Sequence, residues 1–358
     1  MSSLDELRRE IDKVDRKLVE LLNDRAQIVV QVGKLKNKTE TDTIYSPSRE
    51  KAVFAKIADA NNGPLPDKTL QAIWRELMSG SFFLERPLRI AYLGPEGSFS
   101  HAAAMLKFGQ SVEYEAVTDI RSIFEEVSKG HSDLGVVPIE NSAGGGITET
   151  LDALVDTDVM ICAEVYMTIH HNLLANCHID DITEVYSKPE VFAQCRNWLS
   201  STFKETKTIP VASSAKAAQM AAERPNTAAI GSAAAAELYS LKIVCENIED
   251  IGNNVTRFLI ISKEDAKPTG EDKTSMLFST AHKAGALVDV LQVFRDNGLN
   301  LTNIESRPSR KRQWEYYFFV DVLAHRKDAK FNEVVEAAKK HCLQLTVLGS
   351  YPKNDNLL

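Results

Sequence analysis

Apolar residues recur in alternating steps of three and four at Leu4, Leu7, Ile11, Val14, Leu18, Leu21, Ile28, Val32 and Leu35. That period lays a stripe along one side of a long helix, expected to run to about Asn37. Arg25 falls on the same stripe. A guanidinium among the apolar contacts of a bundle is costly unless an anion meets it. Two readings stay open: a buried Arg–Glu pair or register-setting residue, and a site for an anionic ligand. Arg8, Lys36 and Arg49, with Glu50 beside the last, favour the ligand. Arg25 and Lys36 stand eleven residues apart, roughly 16 Å along a helix, so two long side chains could clasp a small dianion. Arg8 is seventeen residues from Arg25, roughly 25 Å, too far for both to hold it on one straight helix. A contribution from Arg8 therefore predicts a second, antiparallel copy: a homodimer or larger homo-oligomer with shared sites.

The same patterning divides the rest of the chain. A polar turn over 38–47 leads to a second helix over 48–60, Gly63, Pro64 and Pro66 break it, and a third follows over 68–85. Three such helices bury little alone, which again argues for dimerisation. At Pro87 the period turns strand-like, with an apolar strand over 88–93, then Gly94-Pro95-Glu96-Gly97-Ser98-Phe99-Ser100 and an alanine-rich helix. Strands at 112–117, 134–137, 185–187, 209–212 and 228–230 alternate with helices ending at 129, near 147–155, at 189–201 and 214–223, and ending near 239. This α/β segment of about 175 residues suits two lobes with a cleft between them. Residues 264–273 are polar, with Pro and Gly, and read as a linker. Strand 275–280, helix 284–296, strands 299–306 and 314–323, helix 328–341 and strand 343–349 give the ferredoxin-like order βαββαβ.

Composition narrows the function. At 358 residues two or three domains are expected. A net charge of -8 with no basic runs gives no support to nucleic-acid binding. No apolar stretch suits a membrane span and no signal peptide precedes the first helix, so a cytoplasmic protein is expected. Five scattered cysteines without CxxC spacing read as buried thiols. His170 and His171 lack a metal-like partner set, and Gly94–Ser100 is not a dinucleotide fingerprint, so we expect neither metal nor cofactor.

Two middle motifs, Val137-Pro138-Ile139-Glu140-Asn141 and Asn254-Val255-Thr256-Arg257-Phe258, together with the cationic helix, resemble the bifunctional chorismate mutase–prephenate dehydratase family. The resemblance spans essentially the whole chain. It implies a multidomain fold: an all-α AroQ-type mutase over 1–86, a two-lobed, periplasmic-binding-protein-like α/β dehydratase over 88–263, and a ferredoxin-like α+β ACT regulatory domain over 274–352. The implied function lies in phenylalanine biosynthesis, chorismate to prephenate and prephenate to phenylpyruvate, with feedback inhibition by phenylalanine. In the mutase, Arg25 and the partner copy's Arg8 look like carboxylate clamps, and Lys36 like the cation facing the ether oxygen. Arg49 looks like a neighbouring cation and Glu50 like the acceptor for the ring hydroxyl. Ser46 stands where many members carry an acidic residue, which puts a second hydroxyl contact in doubt. Glu85 stands where some carry glutamine as ether-oxygen donor; a carboxylate donates only when protonated, so mutase activity should fall as pH rises through neutrality.

In the dehydratase the resemblance makes Thr256 the hydrogen-bond donor to the departing hydroxyl. Arg257 would orient the site or bind a carboxylate. Asn141, Ser187 and Gln194 would line the cleft, with Glu140 tuning them. The amides of Gly94–Ser100 could cradle a carboxylate, and Gly144-Gly145-Gly146 reads as a hinge. In the tail, Gly285, Ala286, Leu287 and Val288, with Asn300 and Glu305-Ser306-Arg307-Pro308, match segments associated with phenylalanine binding. Two other readings remain: a non-catalytic amino-acid sensor, and an enzyme that prefers arogenate.

Overall fold

The computed structural model describes residues 3–36, 44–309 and 315–354, with the side chain of Lys36 excluded. Asn37, most of the expected 38–47 turn, and Trp314 at the head of an expected strand lie outside these residues.

Two compact units divide the chain: Met1–Ser46, Phe54–Leu88 and Phe108–Glu113 form one, and Pro47–Val53, Arg89–Lys107 and Tyr114–Leu358 the other. Three helices open the chain, α1 (Leu4–Lys36), α2 (Pro47–Ala60) and α3 (Asp67–Glu85). In the first unit α1 packs on α3, and Tyr45 sits edge-on to both Phe82 and Phe108. The apolar stripe of α1 nevertheless stays open, with Leu4, Ile11 and Leu35 at 64%, 59% and 66% exposure. A helix of 33 residues, roughly 50 Å long, thus carries an unpartnered apolar face in a single copy.

In the second unit the chain runs β1 (Arg89–Leu93), α4 (Phe99–Phe108), β2 (Glu113–Val117), α5 (Ile120–Lys129), β3 (Leu134–Asn141), β4 (Gly145–Gly146), α6 (Thr148–Val155) and β5 (Met160–Thr168). It crosses to a second lobe: β6 (Asn172–Ala175), β7 (Glu184–Ser187), α7 (Pro189–Gln194), α8 (Arg196–Thr202), β8 (Lys207–Pro210), α9 (Ser214–Glu223), β9 (Thr227–Gly231), α10 (Ala233–Leu238) and β10 (Lys242–Cys245). It then returns to the first lobe as β11 (Val255–Ser262). The sheet orders are β2-β1-β3-β11-β5, with β4 beside β3, and β10-β6-β9-β7-β8. Two lobes joined by two crossings, 169–171 and 246–254, form the expected two-lobed α/β domain.

The third sheet holds β12 (Asp272–Ser279), β13 (Leu301–Pro308), β14 (Tyr316–Val322) and β15 (Gln344–Pro352), in the order β13-β14-β12-β15. Helices α11 (Ala286–Asp296) and α12 (Ala329–Lys339) cover one face through Val290, Phe294, Phe331 and Val334. The other face joins the core of the first lobe: Leu277, Phe319 and Tyr351 cluster with Ile139, Ile161 and Leu259. Gly349 lies so close to Ile161 that a Cβ there would meet its backbone oxygen at 2.1 Å. The expected ferredoxin-like order is present.

Patterning missed β4, β5, β6, β10 and β11. A strict βα alternation was expected, whereas β11 runs antiparallel between β3 and β5. Strands covered on both faces lose the apolar–polar alternation that marks a half-buried strand. The helix expected over 189–201 is broken at Cys195 into α7 and α8.

Candidate active sites

Asn141, Asn254 and Thr256 meet where β3 and β11 pair. Asn141 Oδ1 accepts the N–H groups of Ala143 and Gly144, at 3.0 and 2.9 Å, within the turn that follows β3. That fixes the other end of the amide: Nδ2 donates to Asn254 Oδ1 at 2.7 Å and to Thr256 Oγ1 at 2.8 Å. A hydroxyl that accepts keeps its own proton to give. Among the described residues the Thr256 hydroxyl donates to no protein group, although the residue is only 8% exposed. The cluster therefore presents a pre-aimed O–H donor.

In the loop after β1, Ser98 Oγ donates to Leu93 O (2.8 Å) and Gly97 N–H to His101 Nδ1 (3.2 Å). Burial lowers the His101 pKa against the opposing pull of Glu96, which suits a ring nitrogen that accepts. Ser232 Oγ of the second lobe donates to Gly97 O (3.1 Å), joining the loop to the opposite lobe. The Gly97 amide is thus committed, leaving less of this loop to cradle a carboxylate. Gln194 ends α7, its Oε1 2.7 Å from His171 Nε2.

On the opposite side of β11, Arg257 is buried and bonded to Glu164 Oε2 through Nε (2.9 Å) and to Tyr351 Oη (2.9 Å). Asp321 Oδ2 faces its Nη1 at 2.6 Å as an ion pair, while Oδ1 accepts from Ser275. Lys273 also holds Glu164, at 2.8 Å. Burial works against the Arg257 charge, but Tyr351, Asp321 and Glu164 hold its pKa well above the ordinary value. Glu140 lies opposite Arg257 in the pairing and lines a cavity with it, beside Glu305 and Asp321.

At the end of the third sheet, Gly285 opens α11 at φ +83°, Ala286 is buried, Leu287 packs on the domain core and Val288 is 61% exposed. Asn300 is exposed, its carbonyl accepting from Leu323 N–H. Alternate residues of β13 face opposite ways: Ser306 and Pro308 are exposed, while Glu305 abuts Gly146 and Arg307 grips Asp152 at 2.7 and 2.9 Å. The ion pair with Asp152 raises the Arg307 pKa.

In the first unit Arg25 Nη1 donates to Ser81 Oγ at 2.8 Å. No carboxylate pairs with Arg25 among the described residues, so the internal Arg–Glu alternative finds no support there. Arg8 is 67% exposed and 3.7 Å from Asp5. Glu85 lies over Gly33, whose added Cβ would stand 3.2 Å from Glu85 Cγ. In the second unit Arg49 is exposed, and Glu50 is paired with Lys107 of α4 at 2.6 Å.

Three protein-family descriptions match the chain: Chorismate mutase type II over residues 7–86, Prephenate dehydratase over 90–266 and ACT domain over 274–339. A bifunctional chorismate mutase/prephenate dehydratase of Aquifex aeolicus is 42% identical, covering 99% of both chains. Its namesake from Pseudomonas aeruginosa is 43% identical over 97% of both. The chain belongs to the bifunctional chorismate mutase/prephenate dehydratase family. Among solved structures, a prephenate dehydratase from Arthrobacter aurescens in complex with L-Phe aligns with TM-score 0.70 and 30% identity, covering 75% of this chain and 91% of that one.

Within this family assignment the structure corrects several residue expectations. Arg257 and Glu140 do not face the Thr256 side: strand alternation turns them toward the ACT sheet, where Arg257 is fully engaged. Ser187 is fully buried and gives its proton to Ile230 O (2.9 Å), bracing β7 against β9 rather than offering a donor to the cleft. Glu305 and Arg307 contact the dehydratase domain, leaving Ser306 and Pro308 on the open side. Sequence reasoning overlooked Asn254 as a partner of Asn141, though it opens the quoted motif. Lys107 carried no signal, because its partner is 57 residues away.

Proposed function

We propose that the Thr256 hydroxyl, oriented by Asn141, donates to the departing hydroxyl of prephenate. The chain rearranges chorismate to prephenate and dehydrates and decarboxylates prephenate to phenylpyruvate. In the second reaction the ring carboxylate leaves as CO2, its bonding electrons enter the ring, and the C–O bond to the hydroxyl breaks as aromatisation proceeds. A donor at that oxygen stabilises the charge developing there. The observation that carries this reading is the Asn141–Thr256 hydrogen bond, which uses the hydroxyl as acceptor and frees its proton. Gln194 lines the same cleft. Thr256→Val should lower prephenate turnover by about a hundredfold and leave chorismate turnover intact; unchanged dehydratase kinetics would refute the assignment. Assaying prephenate and arogenate with one preparation decides the preferred substrate.

For the mutase, Arg25 and Lys36 hold the dicarboxylate with Arg8 from a second copy, and Glu85 completes the first unit's share of the site. The exposed α1 stripe supports a homodimer. Phenylalanine binds the ACT domain near Gly285–Val288, Ser306 and Pro308 and inhibits the dehydratase; the 285–288 segment and the end of β13 lie at one end of the sheet, since Ser279 pairs with Tyr317 and Tyr317 with Arg307. Asn300 precedes β13 at the other end, where Leu301 pairs with Val322 and Val322 with Thr274, and would reach the same ligand only from a second copy. The domains follow 1–86, 88–263 and 274–352, and the protein acts in the cytoplasm.

A further inference from the structure

Both crossings between the lobes converge on Gln194. Its carbonyl accepts the N–H of Asp250 at 2.7 Å. The Asp250 carboxylate accepts the N–H groups of Asn197 (2.9 Å) and Trp198 (3.2 Å) at the start of α8. The helix break at Cys195 is therefore built around Gln194, not left by a weak sequence. From the other crossing, His171 reaches the Gln194 side chain, Nε2 to Oε1 at 2.7 Å. The backbone that carries this ring is held in turn, because Glu249 accepts the His171 backbone N–H (2.9 Å) and His170 Nδ1 stands 2.8 Å from the same carboxylate. Phe99 stacks edge-on to the imidazole at 5.6 Å.

We propose that His171 is a positioning residue of the dehydratase: it locks the Gln194 amide so that its NH2 faces the cleft as a donor. This inference rests on the reading of Gln194 as a cleft residue. A carbonyl oxygen only accepts, so the imidazole proton sits on Nε2. Nδ1 is enclosed and without a partner. With the amide reversed, the proton would move to Nδ1 and bury an N–H with no acceptor, a larger penalty than an idle lone pair. Burial lowers the His171 pKa, against the hydrogen bond to Gln194 and the charge of Glu249 and with that of His170, in keeping with a neutral ring. Among the described residues the Gln194 NH2 has no protein acceptor. It suits a carboxylate of prephenate, which the amide oxygen would repel.

In the full-length protein, Gln194→Ala and His171→Leu should each lower dehydratase kcat/KM by about tenfold or more, mainly through KM. The double variant should be no worse than Gln194→Ala alone, because one residue acts through the other. His171→Gln, whose amide nitrogen reaches the place of Nε2, should recover to within about threefold of the unmodified enzyme. Chorismate turnover by the same preparations checks that they are folded. Losses that multiply in the double variant, no recovery by His171→Gln, or a silent His171→Leu overturns the proposal. A full-length protein inert toward prephenate removes the dehydratase reading itself, a result distinct from normal turnover with multiplying losses.

Discussion

A threonine hydroxyl is a poor acid, and its use as a donor depends on what else holds it. Here the Asn141 amide has its oxygen tied to two backbone N–H groups, so its nitrogen must face Thr256. Replacing that nitrogen by oxygen reverses the polarity. In Asn141→Asp the Thr256 proton is drawn to the new carboxylate and away from substrate. Asn141→Asp should therefore be at least as damaging as Asn141→Ala, with losses of about a hundredfold or more in dehydratase kcat; an aspartate variant more active than the alanine variant contradicts the polarity argument. In the mutase, Arg25 keeps donors unpaired by any described carboxylate, and Arg25→Ala should abolish chorismate turnover while prephenate turnover persists.

At the scale of elements, α1 and the lobe crossings make opposite demands. The α1 stripe has no apolar partner among the described residues, and in the proposed homodimer its burial against a second copy would supply stability that three helices lack. Leu18, 50% exposed, is a sensitive position: Leu18→Glu should shift sedimentation to the monomer and remove mutase activity. Mixing Arg8→Ala with Arg25→Ala protein should restore part of that activity after subunit exchange, if sites are shared. The crossings are instead closed by a buried carboxylate. Burial raises the Glu249 pKa, but donation from His170 and the His171 N–H outweighs it and leaves it below the ordinary 4.5. A depressed carboxylate stabilises the fold above its unfolded pKa, and that contribution is lost as pH falls through the folded one. Glu249→Gln should accordingly flatten the acid limb of thermal stability below about pH 4.5, measured by melting temperature; an unchanged limb assigns the acid loss elsewhere.

Over the whole second unit, Thr256 and Arg257 are adjacent residues with opposite allegiances. One is held with Asn141 and Asn254, and the other is bonded into the ACT sheet through Asp321 and Tyr351, beside an irregularity in the β11–β3 pairing. Removing one partner of a buried pair leaves an uncompensated charge and costs about 3–5 kcal/mol, so Asp321→Ala should lower the melting temperature markedly. Arg307 makes a second link, holding α6 through Asp152. Given the proposed phenylalanine inhibition, Arg307→Ala should keep phenylalanine binding by calorimetry yet weaken inhibition several-fold. Equal loss of both would mean that Arg307 contacts the ligand instead.

Periodicity and turn residues were enough for three domains in order, the long first helix and the βαββαβ tail, because each depends on local spacing. Motif residues likewise marked Asn141 and Thr256, which are neighbours across a strand pair. What the sequence could not disclose is direction. Whether Arg257, Glu140 and Glu305 face a substrate or another sheet depends on which side of a strand is covered. That is decided by contacts between residues far apart in the chain, such as Arg257 with Glu164 and Arg307 with Asp152. The antiparallel return of β11 and the break that sets Gln194 against His171 are tertiary for the same reason: their hydrogen-bond partners are distant in the chain, β3 and β5 for the one and the lobe crossings for the other.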